Sequence, residues 1–557
     1  MNRMAKRIFG KGGWSILLIL MVGFIFSPLA QAQSADSPML RLGYKHADLQ
    51  TLDPHRAAGS QDRVLVAMIF NGLLRYQSGN QSVDTIEPDL AKNIPVPQIL
   101  PDGRQQWVFH LRQGVMSHPY EGKPGYEITS EDVVYSLGRA ADQKRSTYSG
   151  DFAGMTFEAT NKYAVSVIVA KPISPHLFLP KFANMSGGLI VCKKPVEEKG
   201  DKWCKTNPVG TGPFMFKSYH PMQKVVLVRN PQYFLGPSKL AAIEFFYMPN
   251  VSSREMALQK GEVDVIEGPR EQSWLKKVEK IPGVIVDATK GSENIVAHFN
   301  LSVKPLHLLK VRQAMAYALD RKEFVAVYGP MISDPLYSPI PVKQMASGLT
   351  KEEIAAKNFL YEFDPARAKK LLAEAGYPKG FSLEVFTSQS DTYKRAYELM
   401  QAQLRKVGIN LNLSVVDHAT YHARIRQNLN PIAVYSTGFR PNADVILTQF
   451  FHSASVVVTG KKPNANFSHF GAVDADGDGV IDSIDTFIEK GQLEKDPRKQ
   501  VELWKEAQRK ILHYMVAFPI IDLGYLFARQ PYVDWGYKMI TIVDGPKATE
   551  KTQIVKK

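Results

Sequence analysis

The stretch Asn207-Pro-Val-Gly-Thr-Gly-Pro-Phe214, followed by Arg229-Asn-Pro-Gln-Tyr-Phe234, carries the most information about how this chain folds. Its two glycines and the proline beside them are turn-forming residues, and they lie between two runs in which apolar residues alternate. We therefore predict a sharp backbone turn at Gly210-Thr-Gly212, after which the chain leaves as a strand through Phe214. A turn between two strand-like runs is typical of a crossing between parts of a fold, and not of a surface loop.

Several other patterned segments lie on both sides of this stretch. They are Leu52-Asp-Pro-His55, Asn71-Gly-Leu-Leu-Arg-Tyr76, Trp107-Val-Phe-His-Leu-Arg-Gln-Gly114, Thr129-Ser-Glu-Asp-Val-Val-Tyr-Ser136, Met256-Ala-Leu-Gln-Lys-Gly-Glu-Val-Asp264 and Val311-Arg-Gln-Ala-Met-Ala-Tyr-Ala-Leu-Asp320. Thr129 or Ser130 can cap a helix whose positive first turn then holds the two acids that follow. A second helix is predicted to start at Asp364-Pro and to end at Ala375-Gly-Tyr-Pro.

Taken in order, these segments resemble the bacterial extracellular solute-binding proteins of family 5, the binding components of peptide and nickel ABC importers. The resemblance covers nearly all of the chain after residue 32. It implies an α/β fold of the periplasmic binding protein type-II-like kind, in which two lobes, built from three subdomains, are joined by a hinge. It also implies that Gly210-Thr-Gly212 leads the chain between lobes, that the lobes close around a solute, and that a membrane permease recognises the closed form.

The order of the motifs gives the expected domain limits. Residues 33–295 are expected to form lobe I, with an outer subdomain at about 71–204. Residues 296–514 are expected to form lobe II, and residues 515–557 to return to lobe I. With 557 residues, the chain exceeds the ~250–300 residues at which single cores stop growing, so more than one lobe is expected from size alone.

Residues 1–32 have the pattern of a secretory signal peptide. Four basic residues within 2–11 precede a nearly unbroken apolar run, Trp14 to Phe26, and the small-residue site Ala30-Gln-Ala32. Cleavage is expected before Gln33, and because no Cys lies at that site, we expect no lipid anchor. No later run approaches the ~20 apolar residues of a transmembrane helix. The sequence therefore predicts a protein of the periplasm.

The formal net charge of +15 limits the choice of partners only when its distribution is considered. Four positive charges lie in the predicted signal peptide, which leaves +11 (65 basic minus 54 acidic residues) on the mature chain. These charges are scattered, without a long basic block or interleaved aromatic residues, so we expect no nucleic-acid partner. The expected partners are a small solute, by default a peptide, and the ABC transporter permease in the inner membrane. The protein itself is expected to be a monomer.

The chain contains two cysteines, Cys192 and Cys204. They flank a polar segment, 193–203, whose ends could meet. In an oxidising compartment we expect a disulfide, which would contribute ~3 kcal/mol by closing a short loop in the chain-entropy model. Two free, buried thiols are the alternative.

Segment 474–485 has the spacing of a calcium loop, with acids at loop positions 1, 3, 5, 9 and 12 and Gly479 at the turn. The expected ligands are Asp474, Asp476, Asp478, Val480 (through its carbonyl oxygen), Asp482 and Asp485. Ile481 is expected to pack inward. Residues 464–472 lack the pattern of a helix that would precede the loop. We therefore expect a dockerin-like loop that is followed by one helix and that holds a structural Ca²⁺. A solvated acidic turn without metal is the alternative.

The segment Val434 to Asp444 is the expected place of solute contact. In dipeptide-binding relatives it carries a Gly-Trp pair followed by Asp residues, one of which holds the α-ammonium group of the peptide. In this chain Gly438-Phe439 occupies the position of the Gly-Trp pair, and Asn442 occupies the position of that Asp. Arg440 lies between them. An amide cannot neutralise an ammonium group, whereas a guanidinium favours a carboxylate or phosphate.

These four positions, together with one aromatic neighbour, give the expected solute contacts: Tyr435, Gly438, Phe439, Arg440 and Asn442. Pairing of Arg440 with Asp444 is the alternative for that residue. Peptides remain the expected solute because most of the family takes them through backbone contacts. The changed residues keep open a non-peptide solute such as a sugar, an opine or a metal chelate. Because no motif marks the surfaces that would face a permease, a solute sensor that is not coupled to transport is a further alternative.

Two further segments are weaker candidates for the cleft. Thr387 and Ser388 follow a strand-like run and either donate hydrogen bonds to a polar solute or form a capping turn. His418 and His422 lie one helical turn apart and could bind a soft divalent metal, although a solvated helix face is the favoured interpretation.

An exported hydrolase is the competing class. Ser273-Trp-Leu-Lys276 matches the Ser-x-x-Lys pair of penicillin-recognising enzymes, but the sequence lacks their Ser-Asp-Asn and Lys-Thr-Gly partners. His-Glu-x-x-His and Gly-x-Ser-x-Gly are absent as well. We therefore expect a binding protein and not an enzyme.

Overall fold

The structure, a computed structural model, describes residues 38–555 except 184, 185, 343, 344, 346, 439–442 and 460–464. The predicted signal peptide lies outside these residues. Within them, none of the helices has both the length and the apolar character needed to cross a membrane.

The strands are β1 (Met39–Tyr44), β2 (Leu74–Tyr76), β3 (Ile86–Pro88), β4 (Gln98–Ile99), β5 (Gln105–His110), β6 (Met155–Asn161), β7 (Ala164–Val169), β8 (Phe214–His220), β9 (Lys224–Arg229), β10 (Ala242–Tyr247), β11 (Val265–Glu267), β12 (Ile285–Ala288), β13 (Glu293–Phe299), β14 (Ser333–Pro335), β15 (Phe381–Ser388), β16 (Ile409–Val416), β17 (Ile432–Gly438), β18 (Ala517–Leu523), β19 (Leu526–Arg529), β20 (Val533–Asp534) and β21 (Gln553–Ile554).

The α-helices are α1 (Ser60–Ile69), α2 (Ser130–Ala141), α3 (Pro175–Phe178), α4 (Lys193–Cys204), α5 (Val251–Gln259), α6 (Gln272–Val278), α7 (Leu309–Tyr317), α8 (Arg321–Tyr328), α9 (Lys351–Ala355), α10 (Pro365–Glu374), α11 (Asp391–Arg405), α12 (His418–Arg426), α13 (Ala443–Phe451), α14 (Asp485–Leu493) and α15 (Pro497–His513).

The main sheet of lobe I has seven strands in the order β12-β19-β11-β1-β10-β9-β8. β1 lies near its centre and runs parallel to β10 and β11. Alternate residues of β1, Leu40, Leu42 and Tyr44, lie on one face of the sheet and belong to the same hydrophobic cluster as the buried residues of α1. β19, at residues 526–529, completes a sheet whose other strands come from residues 39–288.

The outer subdomain of lobe I has its own four-stranded sheet, in the order β4-β5-β7-β6. Helix α2 packs against this sheet, and its start confirms the predicted cap, since Thr129 and Asp132 form a reciprocal capping box. Trp107 of β5 is fully buried, and the ring of Phe178 stacks on it at a centroid distance of 4.1 Å. Helix α3 is thereby fixed to the core of the outer subdomain.

Lobe II is built on an antiparallel four-stranded sheet in the order β14-β18-β13-β17. Beside it, β15 and β16 form a parallel pair covered by α11 and α12. Two buried tyrosines connect the helices to the sheet: Tyr397 donates a hydrogen bond to the carbonyl of Ile432 and Tyr421 donates one to the carbonyl of Val434 (both 2.6 Å). The two hydroxyls also lie 3.0 Å apart, so together they hold β17 against α11 and α12.

The Gly210-Thr-Gly212 turn connects α4 to β8, and so joins the outer subdomain to the main sheet of the same lobe. The expectation that this turn leads the chain between lobes is wrong. Both glycines are required for space, because a Cβ on Gly210 would lie 2.1 Å from the carbonyl oxygen of Ile69, and one on Gly212 would lie 2.6 Å from its carbonyl carbon. His118 fixes the turn, since its backbone N–H donates to the Gly210 carbonyl (2.7 Å) and its Nε2 lies 2.9 Å from the Gly212 carbonyl.

The chain passes between the two large sheets at 289–292 and again at 524–525. These crossings are bonded side by side: the N–H of Thr289 donates to the carbonyl of Tyr525 (3.1 Å), and the N–H of Tyr525 donates to Oγ1 of Thr289 (3.0 Å). A Cβ on Gly524 would lie 1.7 Å from the Thr289 carbonyl oxygen, so only glycine fits there. The lobe limits expected at 295 and 514 fall inside β13 and just after α15.

Cys192 and Cys204 are both free thiols, so the predicted disulfide is absent. The residues between them form α4, which bends at Gly200 (φ 79°), and not an open loop. Burial raises the pKa of Cys192 well above its ordinary value and that of Cys204 to about 12. Both thiols are therefore protonated at neutral pH and are weak nucleophiles.

Candidate solute-binding cleft

The predicted solute contacts lie where β17 ends at the edge of the lobe II sheet. Tyr435 is half-buried and Gly438 is exposed. Phe439, Arg440 and Asn442 lie outside the described residues, so their contacts stay predictions. Helix α13 begins at the next residue, Ala443.

Tyr435 is part of a set of aromatic side chains in lobe II. Its ring centroid lies 5.4 Å from that of His422, 5.2 Å from that of Phe450 and 5.5 Å from that of Phe467. His298, fully buried on β13, contacts the same two phenylalanines. Solute pockets are lined mainly by such apolar and aromatic groups. Tyr435 is thus supported by a packed aromatic layer beneath the end of β17.

Asp444, the alternative partner of Arg440, is engaged within lobe II. Its Oδ1 accepts hydrogen bonds from Nε2 of Gln492 (2.7 Å) and from Oγ1 of Thr448 (3.1 Å). Burial raises the pKa of Asp444, while these hydrogen bonds and the nearby charge of Lys181 oppose the rise. Asp444 therefore connects α13 to α14.

Thr387 and Ser388, at the end of β15, are fully buried. Oγ of Ser388 accepts a hydrogen bond from the N–H of Ser390 (3.0 Å) and lies 2.8 Å from Nδ1 of His418. The Ser388 hydroxyl thus takes part in a turn directly before α11, while a role of either residue in solute binding stays a prediction.

His418 and His422 face the same side of α12, as their spacing predicts. Their ring centroids are 4.5 Å apart, and the rings are nearly perpendicular. Burial lowers the pKa of both imidazoles, that of His422 to about 4, so both are neutral at physiological pH. Across the described part of the chain, no third Cys, His or carboxylate joins them in a metal-binding group. The pair alone offers only two ligands.

A buried ion pair beside the crossing segments was not predicted from the sequence. Arg270 binds Glu293 with two hydrogen bonds (2.7 and 2.8 Å), and its guanidinium lies 4.1 Å from the ring centroid of Tyr525. Glu293 also accepts hydrogen bonds from Ser436 (2.6 Å) and Tyr525 (2.8 Å). Burial opposes ionisation of Glu293, but the charge of Arg270 and these hydrogen bonds outweigh it and hold the pKa of that carboxyl well below its usual range.

This network connects four separate parts of the chain. Arg270 follows β11 of lobe I, Glu293 opens β13, Ser436 lies on β17, and Tyr525 lies in the second crossing. The four residues span more than 250 positions, so no local pattern could have signalled them. Their effect is to fix the end of β17, which carries the expected solute contacts, to the crossing segments.

The two lobes also contact each other away from the crossing segments. Oγ of Ser174, in the outer subdomain, donates a hydrogen bond to Oε1 of Gln500 on α15 of lobe II (3.1 Å). Leu177 of α3 is 5% exposed and belongs to the large hydrophobic cluster that includes the core of lobe II and adjoining residues of lobe I such as Leu258 and Trp274. The two lobes are therefore in contact at the crossing segments and again at the outer subdomain.

The calcium-loop segment brings three of its predicted ligands together. Oxygen atoms of Asp474, Asp476 and Asp482 lie within 4.8 Å of one another. The Asp474 carboxylate also accepts hydrogen bonds from the N–H groups of Gly477 and Gly479 (both 2.7 Å). Helix α14 leaves the loop as expected, and residues 465–473 contain no helix.

The other members of the predicted loop are placed differently. Asp485 is the first residue of α14, and it accepts a hydrogen bond from the N–H of Ser453 (3.0 Å). Asp478 is not part of the converging group. Ile481 is 59% exposed and does not pack inward; Ile484 is fully buried instead, because the chain turns toward the core only where α14 begins.

Comparison with known families matches residues 85–456, more than half of the chain, to the bacterial extracellular solute-binding proteins, family 5 middle region. The chain belongs to this family. Family 5 consists of solute-binding proteins and not of enzymes.

Individual relatives cover most of this family 5 protein. Heme-binding protein A of Haemophilus influenzae is 26% identical over 430 residues, with 72% of this chain and 74% of the relative covered. The dipeptide-binding protein of Escherichia coli K12 is 25% identical over 469 residues, with 79% and 81% covered. The crystal structure of the binding protein MoaA of A. tumefaciens R10, in complex with mannopinic acid, is 35% identical, has a TM-score of 0.78 and covers 93% of this chain and 100% of MoaA.

These similarities confirm the predicted fold class and the predicted type of function. The protein has the α/β, type-II-like fold of periplasmic binding proteins, with two lobes joined by a hinge. It is a solute-binding protein of the kind that serves ABC importers.

Proposed function

We propose that this protein captures a peptide or a similar polar solute between its lobes and delivers it to an ABC transporter permease in the inner membrane. The observation that carries the proposal is that a family 5 fold holds its two lobes in contact at the crossing segments and again between Ser174 and Gln500. Lobes joined in this way can close around a solute, and noncovalent capture of this kind requires only placed polar groups and apolar walls.

A peptide is the first candidate because the curated relatives include a dipeptide-binding protein that matches most of the chain. A carboxylated non-peptide solute is the second candidate. The solved relative with 35% identity holds mannopinic acid, and Arg440 lies in the segment where dipeptide-binding relatives use an acid. A guanidinium forms strong, charge-assisted hydrogen bonds with a carboxylate.

Isothermal titration of the mature protein, unfolded and refolded to release any bound solute, separates the two candidates. The probes are the dipeptide Met-Leu and mannopinic acid, each tested on the wild type and on Arg440→Gln. Dipeptide binding that survives the substitution supports the peptide. Binding of mannopinic acid that is lost on substitution supports the carboxylated solute. The absence of heat from both probes at millimolar concentration contradicts both solutes.

We also propose that segment 474–485 holds one structural calcium ion. The close approach of the Asp474, Asp476 and Asp482 carboxylates supports it, since Ca–O distances of ~2.3–2.6 Å allow one ion to bridge such a group. The remaining ligands would be the Val480 carbonyl and water, because Asp485 is bonded elsewhere. A cation there would relieve the repulsion among the acids and fix the entry to α14.

We further propose that residues 1–32 direct export and are removed before Gln33, and that the mature protein works as a monomer in the periplasm. N-terminal sequencing of the protein recovered from a periplasmic extract would start at Gln33, and light scattering would give the mass of one chain. An intact N-terminus in that extract, or the mass of a dimer, would contradict the respective part.

A further inference from the structure

The contact between the lobes on the far side of the cleft points to residues that control solute binding without touching the solute. We propose that segment 173–181, here called the lip segment, is a latch that docks on lobe II and sets the population of the closed form. The inference rests on the proposed function, because closure matters here as the means of enclosing a solute.

The lip segment is held rigidly by the outer subdomain. The side chain of Gln105 donates to the carbonyl of Ile173 (3.1 Å) and accepts a hydrogen bond from its N–H (3.0 Å). Five residues later, Phe178 stacks on Trp107. A segment fixed at both points moves with its own lobe, so any contact it makes with lobe II must break when the lobes separate.

Leu177 makes the apolar part of that contact. Its neighbours Phe178, Leu179 and Phe182 belong to the core of the outer subdomain, whereas Leu177 belongs to a separate cluster that includes the core of lobe II and adjoining residues of the main lobe I sheet and its helices. Neighbouring residues of one short helix thus lie in two different cores. Opening of the cleft would return the Leu177 side chain to water, which is unfavourable for apolar surface.

Ser174 makes the polar part of the contact with lobe II, and its partner Gln500 is held in place by a second hydrogen bond. Nε2 of Gln500 donates to the carbonyl of Gly491 (2.7 Å), which directs Oε1 toward the hydroxyl of Ser174. One hydrophobic and one hydrogen-bonding residue of the lip segment therefore contact the other side together.

The docking surface is connected to the expected solute segment. α13 starts directly after residue 442, and Asp444 on it accepts a hydrogen bond from Gln492 of α14. The preceding residue of α14, Gly491, is the one that holds Gln500. A solute that binds at the end of β17 would restrain the start of α13, and through α14 the surface on which the lip segment docks. Solute binding and latch closure would then favour each other.

The test compares Leu177→Ser with Leu429→Ser, which removes an exposed leucine elsewhere in lobe II. Small-angle X-ray scattering of the solute-free proteins gives the radius of gyration, and titration with Met-Leu and mannopinic acid gives the dissociation constants. We expect Leu177→Ser to enlarge the radius of gyration and to weaken binding of whichever probe the wild type takes by about tenfold or more. Leu429→Ser should change neither quantity.

Wild-type scattering and affinity in Leu177→Ser would overturn the latch. If that variant does not fold, Ser174→Ala and Gln500→Ala replace it. We expect both to enlarge the radius of gyration and to weaken binding, but less than Leu177→Ser. If neither variant changes these quantities, the latch is likewise ruled out. If neither probe binds the wild type, the proposed solutes are wrong. The radius of gyration of the solute-free proteins still tests the latch in that case.

Discussion

Arg139 and Asp53 form a two-pronged ion pair in which both side chains are almost fully buried. Arg139 lies on α2 of the outer subdomain, whereas Asp53 precedes α1, which packs on the main sheet of lobe I. The same guanidinium donates to Nδ1 of His55 (2.8 Å), whose Nε2 lies 3.0 Å from the carbonyl of Leu189. The Leu52-Asp-Pro-His55 motif thus ties the two parts of lobe I together.

Replacing Asp53 by Ala should lower the free energy of unfolding by up to ~3–5 kcal/mol, because it removes the buried carboxylate from a buried guanidinium and leaves only the partly exposed Asp201 (3.1 Å) as its counter-charge. Urea denaturation followed by circular dichroism measures the effect. Asp102→Ala is the matched control, since Asp102 pairs with Arg104 at the surface and its loss should leave the midpoint unchanged. Equal midpoints for both variants would show that the buried pair is not needed.

Glu293 should make stability depend on pH in a defined direction. Its pKa is depressed in the folded protein, so it contributes stability that is fully present above its unfolded pKa of 4.5 and is lost as the pH falls through the folded value. Glu293→Gln should therefore cost ~3–5 kcal/mol at pH 7, and its difference from the wild type should shrink below pH 4.5.

Denaturation curves at a series of pH values between 3 and 8 check this prediction. The exposed Glu158→Gln on β6 is the control and should follow the wild type throughout. A difference between wild type and Glu293→Gln that stays constant across the series would mean that the Arg270 pair does not govern the titration of this carboxyl.

Gly212→Ala should destabilise the protein by ~1–3 kcal/mol through overpacking, because the new methyl group meets the backbone of Ile69. Gly138→Ala is the opposite case. Gly138 is exposed in the middle of α2 with nothing near its Cβ position, so alanine should stabilise that helix by ~0.5–1 kcal/mol. Thermal unfolding should therefore rank the proteins Gly138→Ala, wild type, Gly212→Ala; any other order contradicts the packing described for the turn.

If the calcium proposal is correct, the mature protein should unfold at a higher temperature in calcium than in EDTA. At a calcium concentration of 100 times Kd, linkage gives ~2.7 kcal/mol of added stability. Asp474→Asn should remove the response and Asp102→Asn should keep it. Identical melting curves in calcium and EDTA would rule out a bound ion at the tested concentration.

Features that depend on nearby residues could be predicted from the sequence. Thr129 caps α2 and Asp364 caps α10 because an acceptor side chain at a helix start acts within three residues. The family motifs likewise gave the fold class. The contacts that could not be predicted from the sequence join residues far apart in the chain, such as Arg270 with Glu293 or Ser174 with Gln500. Only the complete fold brings such residues together.

The wrong predictions have physical causes as well. Gly210-Thr-Gly212 does mark a crossing, but the pattern of turn residues carries no information about which two parts are joined. The Cys192–Cys204 disulfide assumed an open loop, whereas the intervening residues form a helix bent at Gly200. For Ile481, the loop spacing predicted burial, but the direction of its side chain depends on how the whole segment lies on lobe II.

Strands β18 and β19 follow one another across only two residues, yet β18 lies inside the sheet of lobe II and β19 inside that of lobe I. The ribosome makes both strands only after residue 516. Neither sheet can reach its final strand order before these residues have been made. The two lobes therefore complete their sheets together, and a product that stops before residue 517 would leave gaps in both sheets at once.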